Sequence, residues 1–446
     1  MSLAIANLSD ILDRREISAF QIRVVALCAA IAFVDGIEGQ LAGYIAPALR
    51  QDMGLTPSEL GFFLASGPLG LLFGGLFVAP LADRFGRRPI LIACVTLFGI
   101  CSLLTAMSTS LLMLDAFRFL TGVGVGGALA NSISLTAEYS PVHRRSLMVA
   151  IMLLGFITGS IAVGLISAAI VPVLGWRSVL IAGGILSLLL VPLLYFVLPE
   201  SIRFLASRNG ARDEVVRLIK RIDPTMAIDR NTRLVLGELE ECSVSVAALF
   251  RDGRTRRTLL LWTIYFMSLL TLYLMSSWLT THVRELGFAV NVAILIGTLF
   301  QVGGVLGVLF GWMVDRIGAG VAIISAYATG AVAIVCIGLA GTNLAALAIT
   351  VLLAGFGIIG GQAATNALAA ISYPTQIRST GVGWASGIGR IGSIIGPSLA
   401  GILVGVSGST ESIFYLAVIP PLCACLAGLV LSSSVPVSAK GSAAAQ

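Results

Sequence analysis

The chain has 446 residues, 57% of them hydrophobic and only 11% charged, whereas a soluble domain carries roughly 25% charged residues. With apolar runs long enough to cross a bilayer recurring throughout, this excludes an ordinary soluble protein and the disordered, fibrous and disulfide-rich secreted classes. The net charge of +6 comes from 28 basic against 22 acidic residues, too thin a surplus for a nucleic-acid partner and better explained by membrane orientation.

Seven cysteines lie mostly in apolar segments without metal spacing, so neither metal nor cofactor is expected. The start is polar, with Asp10, Asp13 and Glu16 beside Arg14 and Arg15. It lacks the basic opening of a secretory signal, and the first span itself anchors the chain. Apolar runs bounded by charges or turn residues predict twelve spans, at 22–48, 58–82, 89–108, 111–139, 146–171, 177–198, 258–282, 289–315, 320–341, 344–373, 379–406 and 412–433. The polar stretch 199–257 divides them into an amino-terminal half, 1–198, and a carboxy-terminal half, 258–446, with 199–257 read as a solvated cytoplasmic loop holding short interfacial helices. Outside that loop eleven basic residues fall on one side of the spans and three on the other, so both termini are expected in the cytoplasm and the protein in the inner (plasma) membrane.

An internal repeat accompanies this division. Leu81-Ala-Asp-Arg-Phe-Gly86 is echoed 232 positions later by Met313-Val-Asp-Arg-Ile-Gly318, and Gly126-Gly127 with Tyr139 and Arg144 is echoed 234 positions later by Gly360-Gly361 with Tyr373 and Arg378. Duplicated six-helix halves are the arrangement of transporters that rock one half against the other around a central site.

Ionisable side chains inside spans cost at least about 2.5 kcal/mol each, so they mark function or pairing. Asp35 and Glu38 share a face of the first helix, at depths of roughly 20 and 15 Å, and Arg118 in the fourth lies roughly 10 Å deep, which permits contact. Two such carboxylates cannot both ionise cheaply, so with Arg118 they form a cluster able to load and release a proton; a static salt bridge is the alternative. Asp115 is read as the partner of Arg118 or as an outer-vestibule charge. Asp83, Arg84, Arg87, Arg88 and Glu138 suit an inner gate, with Asp315 and Arg316 serving the other half. His143 and His282, near span ends, are expected to be exposed or interfacial.

Arg390 lies roughly 16 Å into the eleventh span, beside Gly387, Gly389 and Gly392 and with no acid mid-span in the second half. A planar guanidinium there suits a carboxylate ligand. Gln301 and Asn366 are candidates for ring hydroxyls, and Trp384, Tyr273 and Trp278 for packing on a ring.

Ala79-Pro-Leu-Ala-Asp-Arg-Phe-Gly-Arg-Arg88, Arg118-Phe-Leu-Thr-Gly-Val-Gly124 and Pro199-Glu-Ser-Ile-Arg203 resemble motifs of the major facilitator superfamily. Asp35-Gly-Ile-Glu-Gly39, Tyr373-Pro-Thr-Gln-Ile-Arg-Ser-Thr-Gly-Val-Gly-Trp384 and Gly387-Ile-Gly-Arg-Ile-Gly392 resemble its aromatic acid:proton symporter family, with Glu38 where an aspartate is usual and Ala79 where a glycine opens the loop. The resemblance implies an all-α membrane protein of twelve helices in two pseudo-symmetric halves. It also implies import of a small aromatic carboxylate such as hydroxybenzoate with protons, by a functional monomer in the lipid bilayer. A transporter of a muconate- or shikimate-like acid and a membrane sensor are the alternatives. An enzyme is not expected, for no nucleophile with an adjacent base stands out.

Overall fold

The computed structural model describes residues 5–7, 17–208, 212–222, 233–235, 246–307 and 309–433. Among them, twelve helices are long and apolar enough to cross a membrane: Ala19–Met53, Pro57–Val78, Arg87–Ala106, Leu111–Tyr139, Val142–Leu174 and Trp176–Val197, then Thr255–Glu285, Val290–Gly311, Ala319–Ala340, Leu344–Ser372, Gln376–Ser407 and Glu411–Leu431, here spans one to twelve. Among the described residues the fold is all-α apart from one short parallel pairing of Ile5–Asn7 with Arg233–Val235. In lipid every backbone donor and acceptor must be satisfied within the segment, which a helix alone does without a partner. Several helices overrun the apolar runs that announced them, the first by three residues at its start and five at its end, because hydropathy marks the lipid-facing stretch while the hydrogen-bond ladder continues into polar flanks. Large apolar side chains such as Val406, Phe196 and Leu112 are almost fully exposed, as a surface solvated by lipid requires.

The described residues sort into two compact units, Met1–Ile45 with Ser66–Glu241 and Ala46–Ala65 with Cys242–Gln446. In the first, Val24, Ile31, Phe98, Leu135, Met152 and Leu194 belong to one buried cluster. Two short helices of the central segment, Ile202–Ser207 and Arg212–Ile222, add Ile202, Leu205, Val215 and Ile219 to it. The i, i+4 spacing of Val215 and Ile219 gives the second of these helices one apolar stripe to bury.

The repeat governs packing within each unit. A Cβ on Gly70 would fall 1.9 Å from the carbonyl oxygen of Phe119, and one on Gly303 would fall 2.0 Å from that of Leu352. Gly74 meets the Val123 carbonyl as Gly307 meets that of Phe356, and Gly159 meets that of Phe33 as Gly392 meets that of Phe266. Every one of these contacts recurs at an offset of 233, between the 232 and 234 of the sequence echoes, and only glycine lets the helix backbones approach so closely. The ends of the helices follow suit. Ser110 and Asn343 cap spans four and ten through bonds to the amides of Met113 and Ala346. Gly86 and Gly318, at φ +102° and +91°, open spans three and nine, in a backbone region that L side chains rarely adopt.

Candidate functional site

In the first unit, Asp35, Glu38 and Arg118 are all buried. Arg118 Nη1 lies 3.6 Å from Glu38 Oε2, and Nη2 donates to the backbone carbonyl of Glu38. Glycines on two further spans make the room: a Cβ on Gly183 would sit 2.9 Å from Glu38 Oε1, and one on Gly67 would sit 3.4 Å from Arg118 Nε. Neither carboxylate oxygen of Asp35 has a hydrogen-bond partner among the described residues. Asp115, by contrast, is not the ion-pair partner of Arg118; its Oδ1 is buried and has no hydrogen-bond partner among the described residues.

The second unit holds Arg390, half-buried, whose Nη1 donates to the Tyr273 hydroxyl at 3.4 Å. On the neighbouring spans a polar network forms. Tyr265 donates to Asn366 Oδ1 at 2.8 Å, Gln362 Nε2 donates to the same oxygen at 3.2 Å, and Ser268 donates to Gln362 Oε1 at 2.6 Å. Tyr327 and Thr365 share a bond of 2.9 Å. Asn366 is thus brought into a network with Tyr265, Gln362 and Ser268, which sequence reasoning missed; their signal was a run of polar residues on apolar helices. Gln301 is buried at 7% exposure and among the described residues makes no side-chain hydrogen bond.

Two aromatic candidates are placed differently. Trp278 is fully buried and its indole N–H is committed to the Pro397 carbonyl at 3.0 Å, so it packs span seven on span eleven and its ring is not open to a ligand. Trp384 stacks on Trp262 with centroids 6.2 Å apart, and six residues along a helix separate it from Arg390 by about 9 Å. His282 is also corrected: it is 1% exposed, Nδ1 lies 2.9 Å from Thr410 Oγ1 and the ring packs on Phe414, because span seven runs three residues beyond it.

At the end of spans two to four nearest the Asp83 loop, Arg87 Nε pairs with Glu138 Oε1 at 2.7 Å and Nη1 donates to Asn131 Oδ1 at 3.1 Å. Ser201 donates to Glu138 Oε2. Asp83 lies 3.7 Å from Arg87 with its side chain 75% exposed, so it is the peripheral member. Arg84 and Arg88 lie outside this ion network: Arg84 covers the Phe85 ring, and Arg88 donates to the Tyr195 carbonyl and covers its ring. Glu200 was missed. Its Oε1 accepts from the amides of Arg87 at 2.8 Å, Arg88 at 3.1 Å and Ser201 at 2.8 Å. The signal was present, since span three opens on Gly-Arg-Arg-Pro with no capping side chain and its orphan amides demand an acceptor from elsewhere. In the second half Arg316 is exposed, and the Asp315 side chain lies outside the described residues. A pair not anticipated, Arg50 Nη1 with Glu285 Oε1 at 2.6 Å, joins the last turns of spans one and seven. Between spans ten and eleven, burial pushes the Tyr373 phenol up, which keeps it a neutral donor to Thr258 Oγ1.

At the common offset, Asp35, Glu38 and Arg118 correspond to Ser268, Thr271 and Val351, and Arg390 corresponds to Ile157. The repeat is kept where backbones touch and at the Asp83-Arg84 and Asp315-Arg316 loops, and broken at these charges within the spans, so the two units carry different chemistry there. The Major Facilitator Superfamily model matches residues 28–361 and 261–446. The 4-hydroxybenzoate transporter PcaK of Pseudomonas aeruginosa is 40% identical over 421 residues, 94% of each chain. A gallate transporter of Pseudomonas putida is 38% identical over 423 residues, again 94% of each. In fold the chain resembles the partially occluded inward-open xylose transporter XylE from E. coli, with a TM-score of 0.73 at 18% identity, covering 94% of this chain and 98% of that one. These matches are transporters rather than enzymes, and the chain belongs to the major facilitator superfamily, in the branch that holds the 4-hydroxybenzoate and gallate transporters.

Proposed function

We propose that the protein imports a small aromatic carboxylate of the hydroxybenzoate class together with protons, by alternating access, as a monomer in the bacterial inner membrane with both termini in the cytoplasm. The observation that carries the coupling is the buried Asp35 carboxylate without a hydrogen-bond partner, three residues from a Glu38 held by Arg118. A buried, unpaired carboxylate is costly as an anion and much less so with a proton, so this cluster is the element that loads and releases the coupling ion.

Arg390 is the carboxylate anchor. Its guanidinium hydrogen-bonds only the Tyr273 hydroxyl among the described residues, which leaves the rest of the donor fork for a ligand. Asn366, Gln362 and Gln301 supply acceptors and donors for ring hydroxyls, and Tyr273 lies close enough to pack on the ring. Arg87, Glu138 and Asp83 form the inner gate, with Asp315 and Arg316 as its counterpart, and the segment 199–257 links the two halves. The relatives named for 4-hydroxybenzoate and gallate support the substrate class.

The test is uptake by proteoliposomes in which pH gradient and voltage are set independently, against a panel of benzoates, muconate and shikimate. Accumulation of a hydroxybenzoate driven by an inward proton gradient is the expected result. Binding without counterflow would instead make the protein a sensor, and gradient-independent equilibration would make it a uniporter.

A further inference from the structure

At the start of span seven a cavity of about 350 Å³ is lined by Asp252, Arg254, Arg256, Arg257, Leu260 and Leu431. Three guanidiniums face it against one carboxylate, and that carboxylate is already taken, since Asp252 Oδ2 lies 2.6 Å from Arg254 Nη2. Arg257 spends one donor on the Ser372 carbonyl at 3.2 Å. Arg254 Nε is buried with no hydrogen-bond partner, and Arg256 is exposed without an ion-pair partner among the described residues. The cavity therefore carries uncompensated positive charge and unused donors.

The backbone is arranged to the same end. Asp252, at φ +54°, is the one non-glycine residue at positive φ among those described, and Gly253 follows at +72°. Such strain persists only where the surroundings hold it, commonly at binding sites. The turn delivers the chain into a helix of 31 residues whose N-cap, Arg254, offers no side-chain acceptor to the first-turn amides. Uncapped amides at the positive end of a long helix suit an anion, and guanidiniums suit phosphoryl oxygens in particular.

We infer that this cavity binds the phosphoryl headgroup of an anionic phospholipid. The choice of lipid over free phosphate rests on the site's place and walls. It lies where span seven begins and span twelve ends, at Leu431, which is headgroup depth, and Leu260 and Leu431 make part of its lining apolar. Arg251, Arg254, Arg256 and Arg257 put four arginines into seven residues across the start of a span, the pattern that draws anionic lipid to a membrane surface.

The test uses the full chain, delipidated and returned to phosphatidylcholine nanodiscs containing a minority of phosphatidylglycerol, with retained lipid counted by native mass spectrometry. Wild type should retain phosphatidylglycerol in preference to phosphatidylcholine, and the double variant Arg256→Gln, Arg257→Gln should lose that preference by about tenfold. Arg217→Gln, on the amphipathic helix of the central segment, should leave it unchanged. If the double variant aggregates on size exclusion, the single variant Arg256→Gln decides, since its side chain is exposed and makes no hydrogen bond or ion pair among the described residues. Equal retention by wild type and variants would overturn the inference. So would equal thermal stabilisation of the delipidated protein by inorganic phosphate and by a soluble short-chain phosphatidylglycerol at matched concentration, which would make the cavity a free-anion site.

Discussion

Arg118 reaches Glu38 twice, once at the carboxylate, 3.6 Å from Oε2, and once at the backbone carbonyl. The second bond does not depend on the charge of the side chain. Span four therefore stays tied to span one when the glutamate is neutral, and the carboxylate is free to change state without releasing the arginine. Asp35, one turn back, receives no hydrogen bond at either carboxylate oxygen from the described residues.

From this arrangement Asp35→Asn should abolish gradient-driven accumulation while leaving substrate exchange measurable, because the amide keeps the volume and loses the titrating group. Glu38→Gln should impair coupling in the same assay, whereas Glu38→Asp should retain activity. Undiminished uphill uptake by Asp35→Asn at normal expression would contradict the assignment.

The gate should depend on Glu138 more than on Asp83. Removing one partner of a largely buried pair costs about 3 kcal/mol, and the Glu138 side chain is only 6% exposed. An exposed i, i+4 pair such as Asp83 with Arg87 is worth about 0.5 kcal/mol or less. Glu138→Gln should lower the melting temperature and slow turnover, and Asp83→Asn should slow transport with little change in melting temperature or substrate affinity. A pure binding defect in either would argue against gating.

Arg390→Lys should raise the Kd for a benzoate carboxylate about tenfold or more, in line with about 1.5–3 kcal/mol for a hydrogen bond to a charged group. The uncharged amide analogue should bind wild type poorly and lose little more in the variant. Calorimetry on folded protein separates these outcomes, and equal affinity of both proteins for the carboxylate would remove the anchor role.

Gly70→Ala and Gly303→Ala should destabilise the protein to a similar extent, each by about 1–3 kcal/mol as overpacking does, because each new Cβ would collide with a carbonyl of the neighbouring span at 1.9 or 2.0 Å. Gly75→Ala meets nothing within 4 Å and should be close to neutral. Thermal melting in detergent gives the comparison, and unequal losses at positions 70 and 303 would show that the two repeats do not bear the same load.

Twelve spans, the repeat and the buried charges were legible in the residues because each rests on a local property. A lipid solvent demands about twenty apolar residues per crossing, a duplication leaves its offset in the chain, and an ionisable side chain inside a span stands out wherever its partner lies. Pairing was not legible, because it depends on which face each helix turns to its neighbour, and apolar all-round helices carry no stripe to announce that face. Arg118 could have met Asp115 on its own helix or Glu38 on another, and rotation of span four decided for Glu38. Trp278 and Tyr273 stand on the same span, yet the tertiary packing commits one indole to the Pro397 carbonyl and sets the other ring beside Arg390. Glu200 sits 113 residues from the amide of Arg87 that it caps; an uncapped helix start reveals the need for an acceptor, and only the folded chain says which residue supplies it.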